Sequence, residues 1–206
     1  GLWGSEWVGL ANFKYLFGVS SKGWQITRNV LGYNIVFIVL GTVLSLAVAI
    51  LLSEVYKSFF ARFYQTSLFF PNFLSWVVVT YVGYAFLSRR TGMINTFLTN
   101  LGQNPIDWYS SPQYWPLVLC ISYLWKSLGV STIIYVASIL AINPEYYEAA
   151  SIDGANKWQQ IIHITLPNLL PQITILTLLS IGRIFNADFG LFYQMPRQYL
   201  NPVLIK

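Results

Sequence analysis

Residues 29–52 read NVLGYNIVFIVLGTVLSLAVAILL, and no side chain in this stretch is charged. The hydrocarbon core of a bilayer is about 30 Å thick, and about 20 residues of α-helix cross it. A helix of this length would also satisfy its backbone hydrogen bonds internally, as lipid requires. Because the apolar residues are continuous rather than alternating, a membrane β-strand is disfavoured. The stretch therefore predicts a transmembrane α-helix.

The composition of the whole chain is that of a membrane protein. Of its 206 residues, 55% are hydrophobic and 9% are charged, whereas a soluble domain carries about 25% charged residues. Three further apolar stretches have comparable length, so the predicted spans are residues 29–52, 68–87, 115–142 and 169–189. The predicted fold class is all-α, a polytopic membrane protein with four visible transmembrane helices. Pro71 would lie near the start of the second span, where a missing N–H costs least.

Residue content disfavours several kinds of chemistry. The single cysteine, Cys120, excludes an internal disulfide or a thiolate cluster, and the single histidine, His163, cannot form a zinc site without several partners. The sequence contains no phosphate-binding loop of the form G-x-x-x-x-G-K-S/T. The net charge is +5, but the basic residues are scattered. We therefore predict no metal, no cofactor in this chain and no nucleic-acid partner.

The two ends of the sequence suggest further membrane segments. Residues 1–17 carry Trp, Tyr and Lys but no span, and residues 194–206 end without a helical pattern. We expect residues 1–206 to be the middle of a single larger membrane domain.

A polar insert, residues 143–167, separates the third and fourth spans. Asn143 and Pro144 have the residue types of a helix N-cap and first helical position. Gly154 can adopt a positive φ and would let the chain turn sharply. A second short helix would then run until Leu166 and Pro167 end it and begin the fourth span. The pattern predicts a helix–turn–helix knob on the membrane surface, serving as a simple linker or as a protein interface.

The insert resembles the EAA loop of binding-protein-dependent ABC importer permeases. The matching residues are Glu148, Ala149 and Ala150, then Gly154, and then the run ITLP at residues 164–167. Other segments resemble the carbohydrate, maltose-type members: WVGLANFKYLF at residues 7–17, TGMIN at 91–95 and Trp125 in the third span.

This resemblance implies a non-catalytic permease subunit of an ATP-driven sugar importer with about six helices, of which the first and the last would lie outside residues 1–206. Its partners would be a second permease in a heterodimer, two ATP-binding subunits that hold ATP and Mg, an extracytoplasmic solute-binding protein, the oligosaccharide and membrane lipid. It implies the bacterial cytoplasmic membrane, with the EAA loop in the cytoplasm as the coupling helix. The coupling residues implied are Glu148, Ala149, Ala150, Asp153, Gly154, Ile164, Leu166 and Pro167.

The resemblance also implies a substrate path. The sugar-contacting positions of maltose-type permeases fall here on Asn72, Trp76, Lys126, Ser127, Val130, Ser180 and Ile184. Trp76 would offer a flat face to a sugar ring, with hydroxyl partners beside it. Lys126, Val130 and Ile184 depart from what a neutral disaccharide site needs.

Charged residues within the spans point to the same path. A charged side chain at mid-membrane costs about 2.5–3.5 kcal/mol on insertion scales, so Lys126 and Arg183 should face the bundle interior. Asp188 is a further candidate residue of the path. Arg183 and Asp188 would lie roughly 140° apart on one helix, poorly placed to pair. Lys126 would be an unpaired cation in its own span. Either the two cations select carboxylated oligosaccharides, or they pair with a partner subunit and the substrate is neutral.

Three other interpretations are open at this stage. A secondary transporter or channel would use the intramembrane charges for ion coupling but would not need the EAA insert. A membrane-embedded transferase would need a catalytic set that this residue content does not supply. A permease for a solute other than a carbohydrate would keep the EAA loop.

Overall fold

The computed structural model describes residues 9–19, 22–56 and 59–196, and within these ranges no residue is in a β-strand. The all-α class is therefore confirmed. The first two residues of the segment at 7–17, and the predicted non-helical end beyond residue 196, lie outside the described ranges. In chain order the helices are α1 (Ala11–Lys14), α2 (Lys22–Glu54), α3 (Phe59–Phe73), α4 (Trp76–Leu87), α5 (Met93–Asn100), α6 (Trp115–Leu140), α7 (Pro144–Ile152), α8 (Lys157–Gln160) and α9 (Leu166–Ile181).

Three continuous helical segments in the described ranges are long and apolar enough to cross a membrane. They are Gly23–Glu54, Pro112–Leu140 and Lys157–Ile181, and a bent pair of helices, Phe63–Phe73 with Trp76–Leu87, gives a fourth candidate. The first segment contains the predicted span 29–52. The third predicted span begins at Trp115 as expected and ends at Leu140 rather than at residue 142.

The second span is not the single helix that the sequence predicted. Its two halves meet at an angle of 105°. Pro71 lies near the end of α3 rather than at the start of a span, where its ring and missing N–H disturb the helix that precedes it. Ser75 then starts α4 as its N-cap, with Oγ accepting a hydrogen bond from the Val78 N–H. Pro71, which disturbs the end of α3, and Ser75, which caps α4, are four residues apart and together produce the bend.

The fourth span also differs from the prediction. Helix α9 ends at Ile181, and tight turns begin at Gly182, a residue type that disfavours helix. Arg183 and Asp188 therefore do not share a helix, and the predicted separation of roughly 140° around one helix does not apply to them. Nor does the second short helix stop at Leu166 and Pro167: it continues through a π-helical turn, Ile161–Thr165, directly into α9.

Packing concentrates in two buried clusters on the α2–α6 pair. One cluster joins these helices to α4 and to residues 191–195, with Phe37, Trp115 and Phe192 among its members. The other joins them to α9 through Ala49, Tyr135 and Leu169. Many other large apolar side chains are exposed along the spans, as expected of helices that face lipid.

The turn between α4 and α6 is organised by one buried side chain. The Asn95 amide donates hydrogen bonds to the carbonyl oxygens of Ser88 and Ile106, at 3.2 and 2.8 Å, and its oxygen accepts from the Ile106 N–H at 2.9 Å. Asn95 is the last residue of the TGMIN segment, so the motif has a structural role in closing this turn.

Gly129 sets the approach of α3 to α6. A methyl group at this position would overlap the backbone of Leu68 and Phe69. Glycine therefore lets the two helix backbones pack closely, as small residues commonly do between membrane helices. Gly41, on α2, has only ordinary space around it, with Leu124 Cδ2 at 3.8 Å from the added methyl position.

We expect Gly129→Ala to lower the thermal stability of the full-length protein in detergent. The backbone of α3 must move to admit the methyl group, and overpacking of this kind costs about 1–3 kcal/mol. The measurement is a thermal unfolding curve, with Gly41→Ala as the matched control. Equal midpoints for the two variants would show that the α3–α6 crossing does not depend on glycine.

Candidate functional site

The insert between α6 and α9 forms a compact knob, defined as residues 143–165. Asn143 caps α7, with Oδ1 accepting from the Glu145 N–H at 3.1 Å, and Pro144 takes the first helical position. Gly154 has φ of 84°, in the left-handed region. The predicted start of the first helix and the predicted turn at Gly154 are both confirmed.

The turn itself is a hydrogen-bonded helix end. The Ala155 N–H donates to the Ala150 oxygen at 2.8 Å, the long bond of a Schellman-type ending, which glycine in the left-handed conformation permits. Asn156 then caps α8 in a capping box: the Gln159 N–H donates to Asn156 Oδ1, and the Asn156 N–H donates to Gln159 Oε1. The Asn-x-x-Gln spacing carried this signal, which the sequence reasoning missed.

A buried glutamine holds the two short helices together. Gln160 Nε2 donates to Ser151 Oγ at 2.9 Å and to the Ala155 oxygen at 3.2 Å. The hydroxyls of Tyr147 and Thr165 are 3.0 Å apart and join α7 to the π turn before α9. No sequence motif marks Gln160, because its partners depend on the fold of the turn. These contacts make the knob one unit with α9.

The knob lies at the same end of the bundle as the C-terminus of α2. Lys157 Nζ is 3.1 Å from Glu54 Oε2, and both side chains are largely exposed. An exposed pair of this kind contributes about 0–1 kcal/mol to stability. Its importance here is that it shows where the knob lies. It places the knob beside the end of the first span.

The predicted coupling residues divide into an exposed surface and an anchoring part. Glu148, Ala149, Asp153, Gly154 and Pro167 are exposed, whereas Ala150, Ile164 and Leu166 are half-buried. Two apolar side chains beside the exposed set also face outward: Ile152 is 87% exposed and Trp158 is 68% exposed. Apolar residues this exposed on a polar loop are suited to contact with another protein.

A polar cavity of about 300 Å³ lies between α2, α6 and α9. Three predicted path residues, Ser127, Ser180 and Arg183, line it together with Asn34 and Ser131. Asn34 was not predicted; its amide donates to the carbonyl oxygens of Val30 and Asn186. Its place as an amide side chain inside the apolar run at 29–52 was the available signal.

Lys126 and Asp188, the other two charged residues of the predicted path, do not line this cavity. Lys126 Nζ donates to the carbonyl oxygens of Asn72 and Leu74 at 2.8 and 2.6 Å, and to that of Pro71 at 3.4 Å. Lys126 thus finds its partners outside α6, on the chain around the end of α3, which the sequence did not indicate. Helix α3 ends beside α6, and carbonyl oxygens at this break contact the ammonium group.

Trp76 and Asp188 contact each other directly. Trp76 Nε1 donates to Asp188 Oδ2 at 2.8 Å, and the Lys126 ammonium lies 5.6 Å from the centre of a Trp76 ring. The Asn72 side chain is exposed beside them. Val130 is exposed and Ile184 is half-buried, and neither lines the polar cavity. Seven of the nine predicted path residues thus form two groups, one at the cavity and one at the bend, and Val130 and Ile184 belong to neither.

Comparison with known proteins identifies a family that matches most of this chain. Residues 17–191 match the family described as "Binding-protein-dependent transport system inner membrane component". In Bacillus subtilis (strain 168), the Protein LplB is 33% identical over 195 residues, covering 95% of this chain and 61% of the relative. The polygalacturonan/rhamnogalacturonan transport system permease protein YteP of the same organism is 34% identical over 193 residues, covering 94% and 60%. The chain therefore spans less than two thirds of the length of these relatives.

Solved structures show the same similarity. A bacterial ABC transporter involved in the import of the acidic polysaccharide alginate contains a chain that superposes with a TM-score of 0.87 at 29% identity, covering 98% of this chain and 71% of that one. In the alginate transporter in complex with an alginate pentasaccharide-bound periplasmic protein, the TM-score is 0.85 at 30% identity, with coverages of 96% and 69%.

We expect Gly154→Val to loosen the knob. The space around the glycine is open, so the effect comes only from the left-handed backbone, which costs a β-branched residue about 1–2 kcal/mol. Hydrogen–deuterium exchange at residues 155–160 of the full-length protein should become faster. Gly154→Asn is the control, because Asn tolerates this conformation. Equal exchange in both variants would contradict the role of the positive φ.

Proposed function

We infer a function from the premise that the chain belongs to the family of binding-protein-dependent transport system inner membrane components. We propose that it is a permease subunit of an ATP-driven oligosaccharide importer and forms part of the translocation path. In this proposal it performs no catalysis itself. Membership in a family of binding-protein-dependent systems favours this function over a secondary transporter, a channel or a membrane-embedded transferase.

The observation that carries the proposal is the construction of the knob. Its interior is fixed by Gln160 and by the Tyr147–Thr165 contact, while its outer surface presents Ile152, Trp158 and the exposed Glu148. A rigid polar insert with apolar side chains facing outward fits a docking surface for an ATP-hydrolysing subunit. In the proposed complex two such subunits lie on the cytoplasmic side, so the knob is cytoplasmic. A second permease and an extracytoplasmic solute-binding protein complete the assembly.

One continuous helical segment connects the knob to the cavity, and this connection explains how movement of the knob would change the translocation path. The segment Lys157–Ile181 is helical over 25 residues, from the knob to the cavity. Ser180 lies at its far end and lines the cavity, and Arg183 follows it. A displacement imposed on the knob is therefore transmitted to the cavity wall by a stiff element, in the manner of rigid-body switching.

The polar lining of the cavity supports an oligosaccharide substrate, because sugar hydroxyls need hydrogen-bond partners. Ser127, Ser131, Ser180 and Asn34 supply them. Arg183 adds a cation to the wall, which favours chains that carry carboxylates. Uronate-containing oligosaccharides are therefore the substrate class that we propose, and the similarity to an importer of an acidic polysaccharide supports the choice.

We expect Glu148→Lys to leave the subunit in the membrane but to uncouple transport. The substitution reverses a charge on the exposed docking surface without removing an internal contact of the knob. The measurement is ATP-driven uptake together with substrate-stimulated ATPase activity in the assembled complex. Glu145→Lys, the same change on the same helix, is the control; it also removes the bond that Asn143 Nδ2 donates to Glu145 Oε2 at 3.0 Å, and it should still retain most activity. Normal uptake and stimulation in Glu148→Lys would contradict the coupling role.

We expect Arg183→Met to change substrate preference. Loss of one charge-assisted hydrogen bond corresponds to about 1.5–3 kcal/mol, so uptake of an acidic oligosaccharide should fall about tenfold or more relative to a neutral one. Arg28→Met is the control, because Arg28 is exposed on α2 and does not line the cavity. An unchanged acidic-to-neutral ratio in Arg183→Met would reject electrostatic selection at this wall.

A further inference from the structure

Two charged residues at the bend of the second span are satisfied without contacting each other. Lys126 comes from α6, and Asp188 comes from the segment after α9. The bend between α3 and α4 separates them and provides partners to both. The transport role proposed above uses Arg183 in the cavity wall and gives neither of these two charges a function.

The Lys126 ammonium group meets the oxygen atoms that the break in the helix leaves without partners. The last carbonyls of any helix lack intrahelical donors and carry partial negative charge. In a membrane an unsatisfied carbonyl costs several kcal/mol. Lys126 Nζ is 2.8 Å from the Asn72 oxygen and 2.6 Å from the Leu74 oxygen. The ammonium group therefore supplies hydrogen-bond donors to the carbonyl oxygens at the break, and these oxygens stabilise its positive charge.

Asp188 holds the first residue of the next helix. Its Oδ2 accepts from Trp76 Nε1 at 2.8 Å, while its Oδ1 accepts from the N–H groups of Gly190 and Leu191 at 2.8 and 3.3 Å. The Trp76 side chain lies so close to Gly190 that a methyl group there would overlap it. Trp76 is thus fixed at its nitrogen and along its side.

We propose that Lys126, Trp76 and Asp188 form a polar latch that fixes the bend and joins it to α6 and to residues 188–195. Lys126 and Asp188 are positioning residues: they act through the bend carbonyls and through Trp76, and neither binds the transported solute. The latch carries one positive and one negative charge, each compensated locally. Its existence depends on these contacts alone, whereas its effect on transport rests on the proposed function.

Thiol alkylation can test the latch without any substrate. Cys120 is the single cysteine in the sequence, so Cys120→Ser gives a background for a reporter, Val79→Cys. Val79 is 2% exposed in the cluster that contains Leu191 and Phe192. When the latch opens, α4 and the terminal segment should separate and expose this thiol to N-ethylmaleimide. The experiment uses the full-length protein in membrane vesicles.

In this background Lys126→Met and Asp188→Asn should each accelerate alkylation about tenfold or more, as expected from loss of hydrogen bonds to a charged group. Lys126→Arg should restore slow alkylation, because a guanidinium group can also donate to several carbonyls. Arg183→Met should leave the rate unchanged, since its charge lies in the cavity wall. Gly190→Ala should behave like Asp188→Asn, whereas Gly32→Ala, with open space around it, should not.

A double-mutant cycle shows whether Asp188 acts through Trp76. If it does, Trp76→Phe combined with Asp188→Asn should accelerate alkylation no more than either single change. Uptake should fall equally for acidic and neutral oligosaccharides in Lys126→Met, unlike in Arg183→Met. Slow alkylation in Lys126→Met with an altered acidic-to-neutral ratio would overturn the proposal and make Lys126 a substrate ligand. If Lys126→Met does not accumulate, slow alkylation in Asp188→Asn overturns the proposal equally.

Discussion

The rest of the structure depends on how the broken second span satisfies its backbone. A helix that stops inside a membrane leaves carbonyl oxygens with no water to bond to. Here the donor is the Lys126 ammonium group, which reaches the oxygens of Asn72 and Leu74 from α6. With these bonds in place α4 can leave α3 at 105°. The position of Trp76, and of the segment packed on it, follows from that angle.

Local rules recovered the elements whose causes are local. The uncharged run at 29–52, the Asn143–Pro144 helix start and the turn at Gly154 could all be found from neighbouring residues. The bend could not, because the apolar run from Leu68 to Leu87 continues through Pro71 without a charge, so the residue was placed near the start of a span rather than near the end of a helix. The partners of Lys126 lie more than 50 positions away in the sequence, and no local pattern indicates them.

The same distinction explains the outcome at the candidate sites. The helix start at Asn143 and the turn at Gly154 predicted the knob, but its rigidity comes from Gln160, whose bonds exist only once the turn is formed. Lys126, Arg183 and Asp188 were singled out as charges within predicted spans, but the last candidate span in the chain ends at Ile181, before the last two of them. Their roles were separated only by the end of α9 at Ile181, which places Arg183 at the cavity and carries the chain on to Asp188 at the bend.

This separation has a consequence for how specificity can change in such a protein. Lys126 and Asp188 each satisfy several backbone groups, so replacing either one leaves polar atoms unpaired in a membrane, where the cost is large. Arg183 is exposed to the cavity and supports no comparable set of bonds among the described contacts. Its charge can therefore be altered with little effect on the bend. Under the proposed function, selection for the charge of the solute is thus located where the fold can tolerate variation, and under the proposed latch the two compensated charges hold the span in shape.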